Sequence, residues 1–353
     1  MKNLYLILSG LLLGINAFSQ ITIQQADLLQ PGDTFLIHVD LNPTISTDLT
    51  PGADMIWDFT DLQNDESNFA CYPPSDDLEF IDEFPLSETY TYGPGYIYAG
   101  PGGTAPMNNW GYLMTFTNSQ GLFAEGFYSD YGMGYRSTYN TPPELLMFTP
   151  ANYLDEEVNI SYWEVVVNET VEAPYNVDTL YRRDVSKTLN CDAWGELTTD
   201  YGTYAVLRIH ETGISIDSVF GYNGIITYFS TEVSRDTINN YYFWAKELRN
   251  PLMTLHCDYE DNIERIDYLM GAIYADKSEL HFTDDLYIYP NPAQDIITVQ
   301  GLLGKYSIFD IAGKFLIEGR FENNYQIIDI STLQCGYYFI QDENGSILKF
   351  VKN

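Results

Sequence analysis

Tyr306-Ser307-Ile308-Phe309-Asp310-Ile311-Ala312-Gly313-Lys314 decides the fold class of the C-terminal part of this chain. Two apolar runs, 306–310 and 314–317, flank a turn in which Gly313 supplies a positive φ, the signature of a β-hairpin. A second hairpin follows, with runs 337–341 and 347–351 around Asp342-Glu343-Asn344-Gly345-Ser346. Asn-Gly between apolar runs is a strong short-range turn signal. Upstream, the β-branched run Ile296-Ile297-Thr298-Val299 comes after a Pro-Asn-Pro stop and reads as a strand. Short strands at this spacing predict a small Ig-like β-sandwich.

Around these hairpins stand ordered motifs: Tyr289-Pro290-Asn291-Pro292-Ala293, Ile328-Asp329-Ile330-Ser331-Thr332-Leu333, Gly336-Tyr337-Tyr338-Phe339-Ile340 and Lys349-Phe350-Val351-Lys352. In this order the segment resembles the type A C-terminal sorting domain of the type IX (Por) secretion system of Bacteroidetes-type bacteria. The resemblance implies sorting-motif roles for Tyr289, Pro290, Asn291, Pro292, Asp310, Gly313, Leu333, Gly336, Tyr338, Lys349 and Lys352. It implies passage through the Sec machinery and the periplasm, then through the type IX translocon and its sortase-like peptidase. The expected location is extracellular or on the outer-membrane surface, with surface lipopolysaccharide or glycans as further partners. One departure is Gln334-Cys335 before the Gly of the Leu-x-x-Gly-x-Tyr element; Cys335 is expected to be a small buried side chain.

The N-terminus agrees with export. Met1-Lys2-Asn3 is a short basic start and 4–17 is an apolar run of signal-peptide length, too short for a comfortable span. Small residues at Ala17 and Ser19 place cleavage after Ser19, giving a mature Gln20. No later stretch has the length of a transmembrane helix. The expected division is signal peptide 1–19, acidic passenger 20–274, linker 275–285 and sorting domain 286–353.

The passenger carries the charge. The chain has a formal net charge of −34 and a pI of about 4.1, and residues 20–283 hold 41 Asp and Glu against 10 Lys and Arg. Such a surface repels phosphate, so nucleic acid is not expected as a partner. A content of 45% hydrophobic and 15% aromatic residues argues for a packed core rather than disorder. Strand patterns recur at 34–41, 158–167, 225–229, 240–245 and 263–274. Hairpins are expected across 118–121 and 200–203, and no sustained helical period appears. The prediction is an all-β passenger, β-sandwich-like, with one sandwich or two. Its best internal boundary or functional loop is the Gly/Pro/Tyr-rich stretch 92–106. Segments 51–59 and 193–208 resemble stretches that recur in passengers of the same secretion route, which implies an extracellular β module and adds no chemistry.

Catalytic motifs are sparse, and no catalytic residue is assigned. There is no Gly-x-Ser-x-Gly elbow and no His-Glu-x-x-His. His38 and His210 lie in strand patterns and read as structural; His281 lies in the linker. His256-Cys257-Asp258 places three ligand types side by side, but neighbours on a strand face opposite ways. Paired carboxylates would suit glycoside hydrolysis, and the sequence does not choose the pair. No cofactor motif is evident. Acidic loops at 61–66, 76–79 and 258–261 are candidates for calcium, with solvated loops as the competing reading. Tyr90, Tyr92, Tyr96, Tyr98 and Trp110 form an aromatic group that would stack on sugars or pack in the core. Asp-Ser/Thr-aliphatic tripeptides make Thr179, Ser218 and Thr237 O-glycosylation candidates. Cys71, Cys191, Cys257 and Cys335 permit a disulfide without choosing its pairing. The functional expectation is a secreted binding or adhesion protein; the alternative is an extracellular hydrolase acting on polysaccharide or protein.

Overall fold

The computed structural model describes residues 20–45, 47–94, 110–131, 134–168, 178–200, 202–223, 227–273, 287–290, 293–300, 304–310, 313–321, 325–342 and 347–352. Among these the chain is almost entirely strand, with two short 3-10 turns at Gln25–Asp27 and Ile81–Glu83. The passenger strands are β1 Asp33–Asp40, β2 Gly52–Phe59, β3 Glu66–Tyr72, β4 Thr89–Pro94, β5 Trp110–Asn118, β6 Gly121–Asp130 and β7 Tyr135–Phe148. They continue as β8 Glu156–Asn168, β9 Asp178–Thr199, β10 Gly202–Tyr222, β11 Thr227–Trp244, β12 Met253–Cys257 and β13 Ile263–Ile273. The C-terminal strands are β14 Tyr287–Tyr289, β15 Ile296–Gln300, β16 Gly304–Asp310, β17 Phe315–Phe321, β18 Tyr325–Asp329, β19 Gly336–Asp342 and β20 Ile347–Lys352.

The passenger strands form one path, β3-β1-β13-β12-β11-β10-β9-β8-β7-β6-β5-β4, with β2 added parallel to β9. The two ends of the path meet: Tyr90 N donates to Pro73 O, and Pro74 and Thr89 form a bridge. Unpaired sheet edges are templates for aggregation, and this closure covers them. A single apolar cluster joins both halves, from Phe35 on β1 through Leu122 and Met147 to Phe243, Leu255 and Ile266. The expected hairpins are present. Gly121 and Gly202 begin β6 and β10 at φ +151 and +147, beyond the reach of most side chains. The strands they join run well past the expected boundaries, β9 and β10 above all.

The two passenger-like segments of the sequence meet in space. β2 lies in parallel register on β9, with Trp57 opposite Leu197 and Phe59 opposite Thr199. A glycine is required there, because a Cβ on Gly195 would stand 1.9 Å from Met55 O. Trp57 and Phe59 then pack edge-on against Phe243, at 5.0 and 6.0 Å between ring centres.

The C-terminal part is a sandwich of a three-stranded sheet, β14-β15-β18, and a four-stranded sheet, β17-β16-β19-β20. Its core holds Ile297, Val299, Ile308, Ile328, Tyr338, Ile340 and Phe350. The turn 343–346 lies outside the described residues, yet the strands that flank it pair as expected. Cys335 corrects one expectation: it is exposed, because it falls in the turn before β19 rather than on an inward strand position. All four cysteines are free thiols.

His38 has a consequence for acid stability. It is 6% exposed, packs edge-on to Tyr268, and neither ring nitrogen has a hydrogen-bond partner. Burial pushes its pKa down from 6.5 to about 4. Between these values the unfolded chain binds a proton that the folded chain does not, so stability is present above pH 6.5 and is lost as pH falls toward 4. The gap is worth up to roughly 3 kcal/mol. Urea unfolding of the full chain and of His38→Phe between pH 7 and 4 checks this. The difference between the two curves is expected to grow in favour of the variant as pH falls.

Candidate functional site

Three features of the passenger bear on function. The first is an aromatic face on β4–β7. Alternation places Tyr90 and Tyr92 on the same side of β4. The register then sets Tyr92 opposite Tyr112 and Tyr112 opposite Tyr128. Ring centres step from Tyr92 to Tyr112 at 4.7 Å, to Tyr128 at 6.1 Å and to Tyr135 at 5.3 Å. Phe80, from the 3-10 turn region, stacks on Tyr128 at 3.7 Å. Tyr92, Tyr135 and Tyr139 are 36%, 47% and 44% exposed, so the strip has one face open to solvent. Burial, followed by a hydrogen bond to Tyr135, pushes the Tyr92 phenol up to about 12. Of the aromatic group expected from sequence, Tyr90 and Tyr92 belong to this strip, and Trp110 starts β5 opposite Pro94. Tyr96 and Tyr98 lie outside the described residues. Sequence reading missed Tyr112, Tyr128, Tyr135 and Phe80. The hairpin across 118–121 alone would set Tyr112 opposite Phe127; a bulge at Met114/Thr115 shifts the register by one and brings it opposite Tyr128, and no local signal marks that bulge.

The second feature is a polar chain that crosses the sheet. Lys187 on β9 is 4% exposed and bonds Glu144 Oε1 of β7 at 2.7 Å and Glu211 Oε1 of β10 at 2.9 Å. Glu211 Oε2 accepts from Asn240 Nδ2 of β11 at 2.9 Å and from the Tyr242 hydroxyl at 2.7 Å. Asn240 Oδ1 lies 3.1 Å from His256 Nδ1 on β12, and His256 Nε2 lies 3.3 Å from Asp267 on β13. Arg265 closes the chain on Asp267 at 2.6 Å. A cavity of about 440 Å³ opens beside it, lined by Glu144, Lys187, Glu211, Trp244 and Arg249 among others.

This arrangement is poorly suited to hydrolysis. Glycoside cleavage needs one carboxyl held protonated. Burial raises the pKa of Glu211, but Lys187, Asn240 and Tyr242 outweigh it and hold the carboxyl below its ordinary value. Burial likewise opposes the charge on Lys187, and Glu144 and Glu211 outweigh it and hold the ammonium above its ordinary value. Cys257 follows His256, but its thiol is pushed up to about 12 by burial and then by the charges of Asp261, Asp258 and Glu264. A thiolate nucleophile is therefore not formed near neutral pH.

The third feature is on the opposite side of β9–β11. Arg208, fully buried, makes a bidentate pair with Asp192 at 2.9 and 2.8 Å and donates to Leu49 O. Its guanidinium lies between Trp57 and Tyr241, at 5.6 and 5.0 Å from the ring centres. Beyond it, His210 stacks on Tyr241 at 4.0 Å and bonds Asn239 at 2.8 Å, and Asn239 reaches Asp261. A shallow cleft of about 560 Å³ follows, lined with Ser186, Thr188, Thr212, Thr237 and the exposed Tyr259.

Two of the acidic loops turn a carboxylate onto nearby donors, mostly backbone. Asp65 accepts from Leu41 N, and Asp258 accepts from Glu260 N, Asn262 N and Asn262 Nδ2. Among the described residues no group of three or more His, Cys, Asp or Glu side chains is placed to hold a metal. No described helix is long and apolar enough to cross a membrane. The glycosylation candidates fall on three adjacent strands, with Thr237 exposed and Thr179 and Ser218 half-buried. Asp217, beside Ser218, is held by Arg183 at 2.6 Å.

Of the residues expected to carry the sorting motifs, several of those described help shape the C-terminal sandwich. Asp310 closes the β16–β17 turn by accepting from Lys314 N at 2.9 Å, and Gly313 takes φ +73. The Tyr338 hydroxyl donates to Gln334 O at 2.7 Å while its ring stacks on Phe350. Leu333 packs on the core and Gly336 begins β19. Lys352 pairs with Asp295 at 4.0 Å, and Lys349 lies over the Tyr337 ring. Tyr289 ends β14 and Pro290 follows it, whereas Asn291, Pro292 and Ser19, where cleavage is expected, lie outside the described residues. Gln20 is the first residue described.

A search of the curated proteins finds no match. Among solved structures the chain is similar to PorZ of Porphyromonas gingivalis, an essential bacterial surface component of the type-IX secretion system. The identity is 10% and the TM-score 0.18, over 84% of this chain and 51% of that one, so the chain spans about half the length of PorZ. Residues 287–353 match the family described as the secretion system C-terminal sorting domain. Residues 287–353 of this chain therefore form a type IX secretion C-terminal sorting domain.

Proposed function

We propose that this is a non-enzymatic surface or extracellular protein whose passenger binds glycan through the aromatic face of β4–β7. The observation that carries it is the continuous run of half-open rings from Tyr92 to Tyr135. Aromatic faces present large apolar area with little side-chain entropy to lose, which suits stacking on the flat apolar faces of sugar rings. Glu211, held below its ordinary pKa by Lys187, Asn240 and Tyr242, is ill suited to the protonated-acid role that glycoside cleavage needs. A screen of the purified chain on a glycan array and on insoluble polysaccharides tests the proposal. Tyr92→Ala and Tyr135→Ala are each expected to weaken binding about tenfold or more, as central aromatic contacts do. Absence of any glycan binding, or equal binding by both variants, would sink it.

For the route, we propose the Sec machinery, the type IX translocon and its peptidase as successive partners, with Gln20 as the mature start. Deletion of residues 284–353 is expected to leave the passenger in the periplasm, read by cell fractionation. Normal surface display of the truncated chain would count against the assignment. Thr237, exposed on β11, is the O-glycosylation acceptor we place first, ahead of Thr179 and Ser218; glycopeptide mapping of the exported chain that finds Thr237 bare would contradict this order.

A further inference from the structure

Strand β19 is buried on both faces. Tyr338 and Ile340 point into the core of the C-terminal sandwich. Phe339, between them, points the other way and is 1% exposed. On β20, Ile347 shares that outward side and is 4% exposed. Neither belongs to the sandwich's own core. They cluster instead with Leu36 of β1 and Cys71 of β3, which are 2% and 7% exposed, and with Met270 of β13. The passenger strand shows the mirror pattern. Phe35 belongs to the passenger core, with Ile37 packed against it, and Leu36 faces outward from it. Two sheets that each have a core of their own therefore bury a third, shared apolar contact. Residues of the sandwich also act on the passenger thiol: burial pushes Cys71 up to about 11, with Lys349 and Asp310 as nearby charges. Lys349 is itself lowered by burial.

We propose that the outer face of β1, β3 and β13 is a docking surface for the chain's own sorting domain, and that docking masks the outward side of β19 and β20. The contact is small, a few apolar side chains, and would be weak between separate molecules. The covalent tether through residues 274–286 changes that, since short links give effective concentrations in the millimolar range. A contact of millimolar affinity or better is then substantially closed. Cutting the tether removes the advantage, so separation from the sorting domain uncovers Leu36, Cys71 and Met270 together. Lys349, one of the residues carried by the sorting motif, is then also uncovered, so a partner that reads it meets the undocked form.

Thiol labelling of the intact chain tests this with its own internal references. Cys335 is exposed and Cys191 is buried in the passenger core at 0% exposure. N-ethylmaleimide followed by peptide mass mapping is expected to modify Cys335 quickly and Cys71 slowly. Phe339→Asp places a charge in the shared contact and is expected to speed Cys71 labelling about tenfold or more, leaving Cys191 protected. Ile347→Asp approaches the same contact from β20 and is expected to do the same. Labelling of Cys71 as fast as Cys335 in the unmodified chain overturns the proposal. So does continued protection of Cys71 in both variants. If Cys191 opens together with Cys71, the contact is part of the passenger's own stability rather than a separable dock, and the proposal fails.

Discussion

Arg208→Met is expected to destabilise the passenger by about 3–5 kcal/mol, the cost typical of removing one partner from a buried ion pair. The size follows from what remains. Asp192 is 4% exposed and would lose its bidentate partner. Leu49 O would lose its donor, and Trp57 and Tyr241 would lose the cation between their rings. Arg208→Lys is expected to recover only part of the loss, because an ammonium is a point charge and does not reproduce the planar fork. The native site is not ideal either, since Arg208 Nη1 is buried without a partner. Urea unfolding read by tryptophan fluorescence gives the difference. A loss below about 1 kcal/mol would show that Asp192 finds another partner.

Lys187→Met is the second large effect, again about 3–5 kcal/mol near pH 7. It leaves Glu211, 5% exposed, beside Glu144 with no cation between them. The pH dependence identifies the cause. In the natural protein Glu211 titrates below its ordinary value, so its contribution is present above the unfolded pKa and is lost as pH falls through the folded one. Without Lys187, only the hydrogen bonds from Asn240 and Tyr242 still oppose burial and the Glu144 charge is no longer balanced, so the folded pKa of Glu211 is expected to rise above the unfolded one. The penalty then applies at neutral pH and is relieved on acidification. The difference between variant and natural protein is therefore expected to shrink between pH 7 and 4. Adding Glu211→Gln to Lys187→Met is expected to recover part of the loss, which a double-mutant cycle measures. A difference independent of pH would mean that packing, not charge, is what Lys187 supplies.

Local features of the fold were legible in the sequence and non-local ones were not. Alternation at 34–41 marks β1 because one side must be apolar, and Gly121, Gly202 and Gly313 mark turns because they need positive φ. The parallel pairing of β2 with β9 has no such local signal. Segments 51–59 and 193–208 stood out separately, but only tertiary packing brings Trp57 against Leu197. The polar chain was hidden for another reason. With 41 carboxylates in residues 20–283, charge alone could not single out Glu144 and Glu211. A usable clue was present: Lys187 holds an inward position between Val185 and Leu189, both buried, and a lysine there must be paired. The aromatic strip was half legible, since Tyr90 and Tyr92 alternate visibly while their partners depend on register across a hairpin.

The order of strands also dictates an order of assembly. From β4 to β13 every strand bonds to its neighbour in sequence, so this part can be laid down hairpin by hairpin with short loop closures. β1 is different: Thr34 pairs with Ile273, and β3 in turn hangs on β1. Ends so far apart along the chain are brought together late, because the entropy of closing the intervening loop must first be offset by structure already formed. β1 and β3, like the parallel strand β2 on β9, are thus expected among the last strands in place. They are also the strands whose outer face carries Leu36 and Cys71. The sorting domain thus packs on strands of the passenger whose pairing requires distant parts of the chain to have met.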